Sequence, residues 1–447
     1  MIIPTGNYKD LFEERKKGGG YLAGYPLNLR ASQSHELKNY SYFVDLLNNK
    51  NTTNRDSALY IHIPFCDSIC TFCCFTREIA KSDKVAKYLQ VLESEMCKYA
   101  KSEYIKSSKF GAVYFGGGTP TVLSADQLGN LLSYVKSNFH LTKNAEITIE
   151  ASTHNFNQRK MEIAIEKGAN RTSFGIQTFN DAIRKQFNLQ DSSRDVINTV
   201  KIAKEIGFDI VDIDLMYNLP NQTMKDWEID LQNAIDLGVE NISFFPLHIH
   251  PNTLLGKQIE SGEIPHPQTK DVEIDMYLKA VEMLTNAGYK QQHISKFVLP
   301  NTDHKYNILR LGHHDCVVCG PMANGNIGNC VYKNTKSIEK YMNMVRDGNF
   351  PIADCVRLSK EDEMRRYMIR GLGLLKVDKR EFKNLFGEYP EYIFPDIFEQ
   401  LIKKGLILVS ENEIKLTEIG KIWGYNVCAS FCSKFGRVMN IHGDMVA

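Results

Sequence analysis

No run of apolar side chains in this 447-residue chain approaches the roughly 20 residues needed to cross a bilayer as a helix. An excess of charge is also lacking: 54 Lys and Arg face 53 Asp and Glu, for a net charge of +1. That balance provides no field to gather nucleic acid or an anionic membrane surface. Met1 to Lys16 show no apolar core with a cleavage site, so no secretory signal is expected there. Internal repeats and low-complexity tracts are missing, which excludes solenoid and fibrous classes. At 43% hydrophobic and 24% charged residues, the composition is that of an ordinary globular protein. Cysteine, in contrast, is plentiful. There are 11, an odd number, expected as intracellular thiolates for a metal in a cytoplasmic protein rather than as a disulfide frame.

Short apolar runs alternate with helical patterns. Ala58 to Ile63, Gly111 to Phe115, Glu146 to Glu150, Arg171 to Ile176, Ile210 to Leu215 and Ile242 to Leu247 read as strands. Amphipathic stretches such as Lys84 to Tyr99, Arg194 to Ile206 and Met224 to Leu237 separate them, which predicts βα units and a parallel sheet. Six units fall short of the roughly 250 residues of a complete eight-fold barrel. The expected fold is therefore α/β, a partial (β/α)6 TIM-like barrel, with an open doubly wound sheet as the alternative. The first fifty residues are polar and broken at Gly18-Gly19-Gly20. Toward the C-terminus, three helical patterns lead into a hairpin over Leu406 to Leu416, a winged-helix-like α+β arrangement. Its last helix is not markedly basic, so a packing domain is favoured over a DNA reader.

Cys66, Cys70 and Cys73 form C-x3-C-x2-C directly after the first strand. Three thiolates on one loop can cap three irons of a cubane and leave the fourth open, whereas electron-carrying ferredoxins supply four cysteines. A zinc knuckle is the alternative, with adjacent Cys74 as an awkward fourth ligand. Gly116-Gly117-Gly118-Thr119 ends the second strand, and the missing Cβ atoms would let a ligand approach the backbone. Glu150, Gln177 and Asp214 stand at or near the ends of the next three strands, on the face where barrel enzymes place their sites. A carboxylate there could accept the hydroxyls of a ribose.

The cysteine spacing on a βα barrel resembles the radical S-adenosylmethionine (radical SAM) enzymes. Tyr60-Ile-His-Ile-Pro-Phe-Cys66, the GGGTPT segment, Asn170 to Phe179 and Asp214-Leu-Met-Tyr-Asn-Leu-Pro are similar to the oxygen-independent coproporphyrinogen dehydrogenase branch, C-terminal domain included. The resemblance implies a [4Fe–4S] cluster on Cys66, Cys70 and Cys73 and two molecules of SAM. It places Tyr60, Phe72, Gly117, Gly118, Thr119, Glu150, Gln177, Asp214 and His248 at the cofactors. It also implies a haem-like tetrapyrrole substrate and a flavodoxin- or ferredoxin-type electron donor. Leu11 to Gly20 and Cys70-Thr-Phe-Cys-Cys-Phe75 look most like the haem-utilisation methyltransferases, which open the porphyrin ring without oxygen. A coproporphyrinogen dehydrogenase and a haem chaperone are the alternatives. The branch carries an arginine where this chain has Leu189, leaving Arg184 as a guess for the SAM carboxylate.

This reading divides the chain into an extension (1–54), a radical SAM barrel (55–300), a substrate-pocket segment (301–355) and a winged-helix-like domain (356–447). His248 and His250 are candidates for catalysis, or else structural histidines at a barrel rim. Cys316 and Cys319 are candidates for donating a hydrogen atom or proton. With His313, His314 and Cys330 they form a weaker candidate for a second metal site. Cys428 and Cys432 share one helix face and are expected to be buried fillers.

Overall fold

The computed structural model describes residues 8–17, 24–27, 39–75 and 77–433. Gly18-Gly19-Gly20 and residues 434–447 lie outside the described residues. All six expected strands form: β1 (Asp56–Ile63), β2 (Lys109–Gly117), β3 (Leu141–Ala151), β4 (Arg171–Gln177), β5 (Ile210–Tyr217) and β6 (Asn241–Pro246). They pair in parallel in sequence order, with helices on the outer face. The helices form where the 3.6-residue pattern is strongest and where Ser124, Ser192 and Thr223 close capping boxes at their starts.

Beyond β6 the chain makes β7 (Lys290–His293) and β8 (Lys296–Val298), and then β9 (Cys316–Cys319), β10 (Asn324–Ile327), β11 (Cys330–Asn334) and β12 (Ile352–Arg357). β9 lies parallel against β1, giving a seventh parallel strand that the sequence reading did not anticipate. Four residues whose cysteines suggested a metal pair gave it no visible alternation. The twelve-stranded sheet runs β12-β11-β10-β9-β1-β2-β3-β4-β5-β6-β8-β7. It is a partial TIM-like barrel followed by an α+β C-terminal domain. That domain holds helices Lys360–Gly373, Lys379–Phe386 and Pro395–Lys403 and a small sheet of β13 (Lys376–Asp378), β14 (Ile407–Val409) and β15 (Glu413–Leu416). Cys428 and Cys432 are buried in it. Among the described residues no helix is long and apolar enough to cross a membrane.

The N-terminal segment ties barrel to domain. Arg15 is buried and donates to the Tyr217 hydroxyl (2.6 Å), Glu273 (3.1 Å) and the Ile422 carbonyl (2.9 Å). Trp423 Nε1 donates to the Tyr8 carbonyl at 2.8 Å.

The barrel's lower interior is ionic. Arg171 is fully buried and reaches Glu146 (3.3 Å), Asp212 (3.1 Å) and Asn241 Oδ1, and Lys296 Nζ contacts Asp212 from β8. Glu146 also accepts the Lys305 and Tyr306 N–H groups, which fastens helix Lys305–Leu311 to the barrel. Neutralising one member strands its partners in low dielectric, so Arg171→Leu should cost about 3–5 kcal/mol in urea unfolding. A loss below about 1 kcal/mol, the value of a surface pair, would show that the network is hydrated.

Candidate cluster and cofactor site

Pro64 turns the chain out of β1 into the cysteine loop. Its base is closed by two residues of parallel pairing between Phe65–Cys66 and Glu78–Ile79. Across that base, Ala80 N–H donates to the Cys66 carbonyl at 2.9 Å. The tip is pinned from elsewhere: Thr71 N–H donates to the Phe187 carbonyl (3.2 Å), and Leu255 N–H donates to the Thr71 carbonyl (2.9 Å). Asn188 Nδ2 and Asn155 Nδ2 donate to the Ile69 carbonyl (2.9 Å) and to Asp67 (2.6 Å). Cys66, Cys70 and Cys73 are therefore half-buried on a loop whose backbone is held, while Cys74 is exposed. Burial pushes the Cys66 thiol up, and burial with the neighbouring Cys73 and Cys66 pushes Cys70 up to about 11.

These thiols suit ligation coupled to proton release. Among the described residues no three His, Cys, Asp or Glu side chains converge as a single metal ion would require. The pinned three-thiol loop fits a cubane, whose irons spread their ligands more widely.

The glycine segment braces this loop. Each missing Cβ makes room for a neighbouring protein group. A Cβ at Gly116 would meet Glu150 Oε2 at 2.7 Å, and one at Gly117 would meet the His62 ring at 2.7 Å. One at Gly118 would meet the Phe65 carbonyl oxygen at 2.6 Å and Cys66 Sγ at 3.0 Å. Gly117 also takes φ +120°, which side chains rarely adopt. The Gly118 and Thr119 N–H groups donate to the Ile63 and Phe65 carbonyls at 2.8 Å, and Thr119 Oγ1 lies 3.6 Å from Cys66 Sγ.

Above the ionic floor, the carboxylates cluster as expected. Glu150 accepts from the Tyr114 hydroxyl (2.7 Å) and the Gly117 N–H (3.0 Å), leaving one lone pair on each oxygen for a ligand. Burial raises it to about 7. Asp214 accepts from Ser173 Oγ (3.3 Å) and rises to about 6 through burial and then Asp212. Tyr60 stacks on Tyr114 (6.1 Å), and its hydroxyl meets His62 Nδ1 at 3.1 Å. Gln177 holds φ +69° at the end of β4, a strained setting for a residue with a Cβ.

On the wall, Phe72 packs edge-on against Phe187 at 5.5 Å, in an apolar cluster with Leu189 and Ile249. The His248 and His250 rings lie 4.3 Å apart on the loop after β6. Arg184 is not at a ligand position. Its guanidinium donates to the Ile176 (2.9 Å), Thr178 (3.0 Å) and Asp191 (2.7 Å) carbonyls, bracing the backbone on both sides of Gln177.

The cysteines of β9 also depart from expectation. Side chains at i and i+3 on a strand point to opposite faces, so Cys316 and Cys319 cannot share a metal or a reaction site. Cys316 faces Arg310, Tyr306 and Tyr60 inside the barrel, beside Ala58 near the start of β1. Cys319 is buried near Glu95 on the outer helix Ser82–Ala100. Cys330 is directed instead at Cys355, with sulfurs 2.7 Å apart. Sequence reasoning missed Tyr114 and Arg171, because a polar residue in an apolar run does not reveal its partner.

Three thiols at the exit of the first barrel strand, carboxylates around the mouth and a glycine brace define a protein that binds an iron–sulfur cluster and a nucleoside-bearing cofactor. Residues 60–234 match the radical SAM superfamily. The chain is 31% identical to the haem chaperone HemW of Bacillus subtilis (strain 168), over 84% of this chain and 98% of that one. It is 29% identical to anaerobilin synthase of Escherichia coli O157:H7, over 86% and 85%. The solved structure of coproporphyrinogen III oxidase (HemN) from Escherichia coli, described as a radical SAM enzyme, superposes with a TM-score of 0.77 at 26% identity, covering 88% of this chain and 93% of that one. The chain belongs to the radical SAM superfamily, in the branch that holds HemW and HemN, and its cofactors are a [4Fe–4S] cluster and SAM.

Gly118→Ala should cost the brown cluster absorbance while circular dichroism stays native, because its Cβ would displace Cys66. A hydroxyl donates best to ionised Glu150, so SAM affinity should rise with pH through about 7 and lose that dependence in Glu150→Gln, measured by calorimetry. The same raised value holds the proton in the folded state. Stability without SAM should therefore fall as pH rises from about 4.5 to about 7.

Proposed function

We propose that this chain is a radical SAM methyltransferase that opens the haem macrocycle without oxygen, giving a linear tetrapyrrole and freeing iron. The carrying observation is the mouth's wall. Leu189, Phe72 and Ile249 each pack against the buried apolar cluster that includes Phe187, Met216 and Leu247, and Phe245 is exposed at the rim. Such a wall suits a flat, largely apolar ring better than a substrate whose propionates must be gripped. Cys74-Phe75 after the last cluster cysteine, both exposed, supports the same subgroup, as does the anaerobilin synthase likeness.

In this reading Cys66, Cys70 and Cys73 would hold the cluster, which when bound would supply one-electron reduction of SAM. Glu150, pre-oriented by Tyr114 and the Gly117 N–H, holds the ribose hydroxyls, with Gln177 and Asp214 completing the cofactor's polar wall. Tyr60 backs Tyr114, and Thr119 steadies Cys66 at the base of the cluster loop. The His248–His250 segment walls a second SAM, the source of the added carbon. The apolar cluster around Phe72 keeps water from the radical. A small electron-transfer protein of the flavodoxin or ferredoxin type reduces the cluster.

The test is to incubate anaerobically reconstituted protein with SAM, a reductant and haem. S-adenosylhomocysteine together with a methylated linear tetrapyrrole is the expected result. Haem recovered intact at one per chain would replace this reading with the carrier role that the HemW likeness favours. Carbon dioxide released from coproporphyrinogen would replace it with the oxidase. Cys70→Ala should abolish both the cluster absorbance and SAM cleavage.

A further inference from the structure

The backbone turns sharply at Gln177, the last residue of β4. Across it, Thr178 N–H donates to the Ile176 carbonyl at 2.9 Å, which closes a three-residue turn with Gln177 at φ +69° in its centre. Such a turn with positive φ is rare and strained for a residue with a Cβ. Asn188, Asn218, Asn221 and Asn301 also take positive φ, but Asn tolerates that region and Gln does not share the allowance. The turn shifts the register between β4 and β5: Gly175 faces Asp214, and Gln177 rather than Ile176 faces Leu215. A Cβ at Gly175 would meet Gln177 Nε2 at 2.9 Å, so the turn lays the Gln177 amide over Gly175, beside Asp214.

Two buried side chains grip this turn, one by its acceptors and one by its donors. Arg184, 4% exposed on helix Asp181–Gln186, takes the acceptors. Its Nη1 donates to both the Ile176 (2.9 Å) and Thr178 (3.0 Å) carbonyls, and its Nε is anchored on the Asp191 carbonyl (2.7 Å). Asp230, on helix Met224–Asp236, takes the donors: the Phe179 N–H (2.6 Å) and the Thr178 hydroxyl (2.8 Å). Gln222 Nε2 steadies that carboxylate in turn at 3.1 Å. The charge of the guanidinium is offset by Asp191, Asp181 and Asp230 nearby, which leaves its hydrogen bonds for the backbone. One nitrogen of a rigid fork thus spans the carbonyls on either side of Gln177. A lysine, with one ammonium on a flexible stem, has no second nitrogen to anchor at Asp191.

We propose that Arg184 is a positioning residue for the cofactor: without touching SAM, it holds Gln177 in the strained turn from which the Gln177 amide meets SAM. A strained backbone persists only where its surroundings over-determine it, and Arg184 supplies that constraint on both flanks of the turn. The role requires Gln177 to belong to the SAM site, as proposed above, and is independent of which tetrapyrrole reaction follows.

A glycine at position 177 would take the same turn without strain and need no brace. The test is therefore a double-mutant cycle on the anaerobically reconstituted full chain, with SAM affinity read by calorimetry and the cluster by its absorbance. Arg184→Lys should weaken SAM about fivefold or more, while the cluster absorbance stays native. Gln177→Gly should weaken SAM as well, and Arg184→Lys added to it should cost less than about twofold further. If Arg184→Lys alone fails to fold by circular dichroism, the double variant should fold. SAM affinity indifferent to Arg184→Lys, equal losses in the two backgrounds, cluster absorbance lost in both, or a double variant as unfolded as the single one would each overturn the positioning role. SAM affinity unchanged by Gln177→Gly would remove Gln177 from the site and this role with it, and leave the proposed reaction standing.

Discussion

The contact on which the site depends is the one made by the exits of β1 and β2 with no side chain between them. Gly116, Gly117 and Gly118 let Glu150, His62 and Cys66 approach within distances that any Cβ would close. The two bonds from Gly118 and Thr119 then hold the Ile63–Phe65 backbone from which the cysteine loop springs. A cluster with three protein ligands has little of its own to fix its position, so the accuracy of the centre has to come from this junction and from the pinned loop tip. Phe187 and Leu255, which anchor Thr71, also belong to the apolar cluster under Phe72. Cluster loop and cofactor wall are thus one packed unit.

The barrel's interior is graded in charge. At the floor, Arg171 and Lys296 meet Glu146 and Asp212, so charges buried there are compensated by protein. Midway, Glu150 and Asp214 lack such partners, and burial leaves them inclined to keep a proton until something donates to them. Behind the barrel, the two hydrogen bonds of buried Arg366 end on neutral oxygens, the Tyr25 carbonyl and Asn326 Oδ1. The protein completes its electrostatics in the floor and leaves them open at the mouth, where the cofactor is proposed to bind. This is the pattern expected of functional sites rather than of structural ion pairs.

Much of this was legible in the residues. The six barrel strands, the exit of the cysteine loop from the first and the helices and hairpin of the C-terminal domain followed from periodicity and turn residues, because each is a local property. The three thiolates and the mouth's carboxylates were legible because strand ends in such a barrel share one face. Other features misled. Arg184 read as a free cation near the cofactor, yet its fork is used on three carbonyls. The C-x2-C of 316–319 read as a chelating pair only while its backbone was unassigned.

Sequence by itself determined which residues make up the candidate site and in what order the barrel is wound, since spacing along the chain sets both the loop's candidate donors and the alternation of strand and helix. Only the tertiary structure decided which of the remaining polar groups are already satisfied. Whether Arg171, Arg184 or Arg366 faces a carboxylate, a carbonyl or a cavity depends on segments far away in the chain, and no local pattern records those partners. The eleven cysteines show the same division. Three are placed by spacing, while the others fall to opposite faces of β9, to a pair across β11 and β12, to the surface, or to the packing of helices, by folding alone.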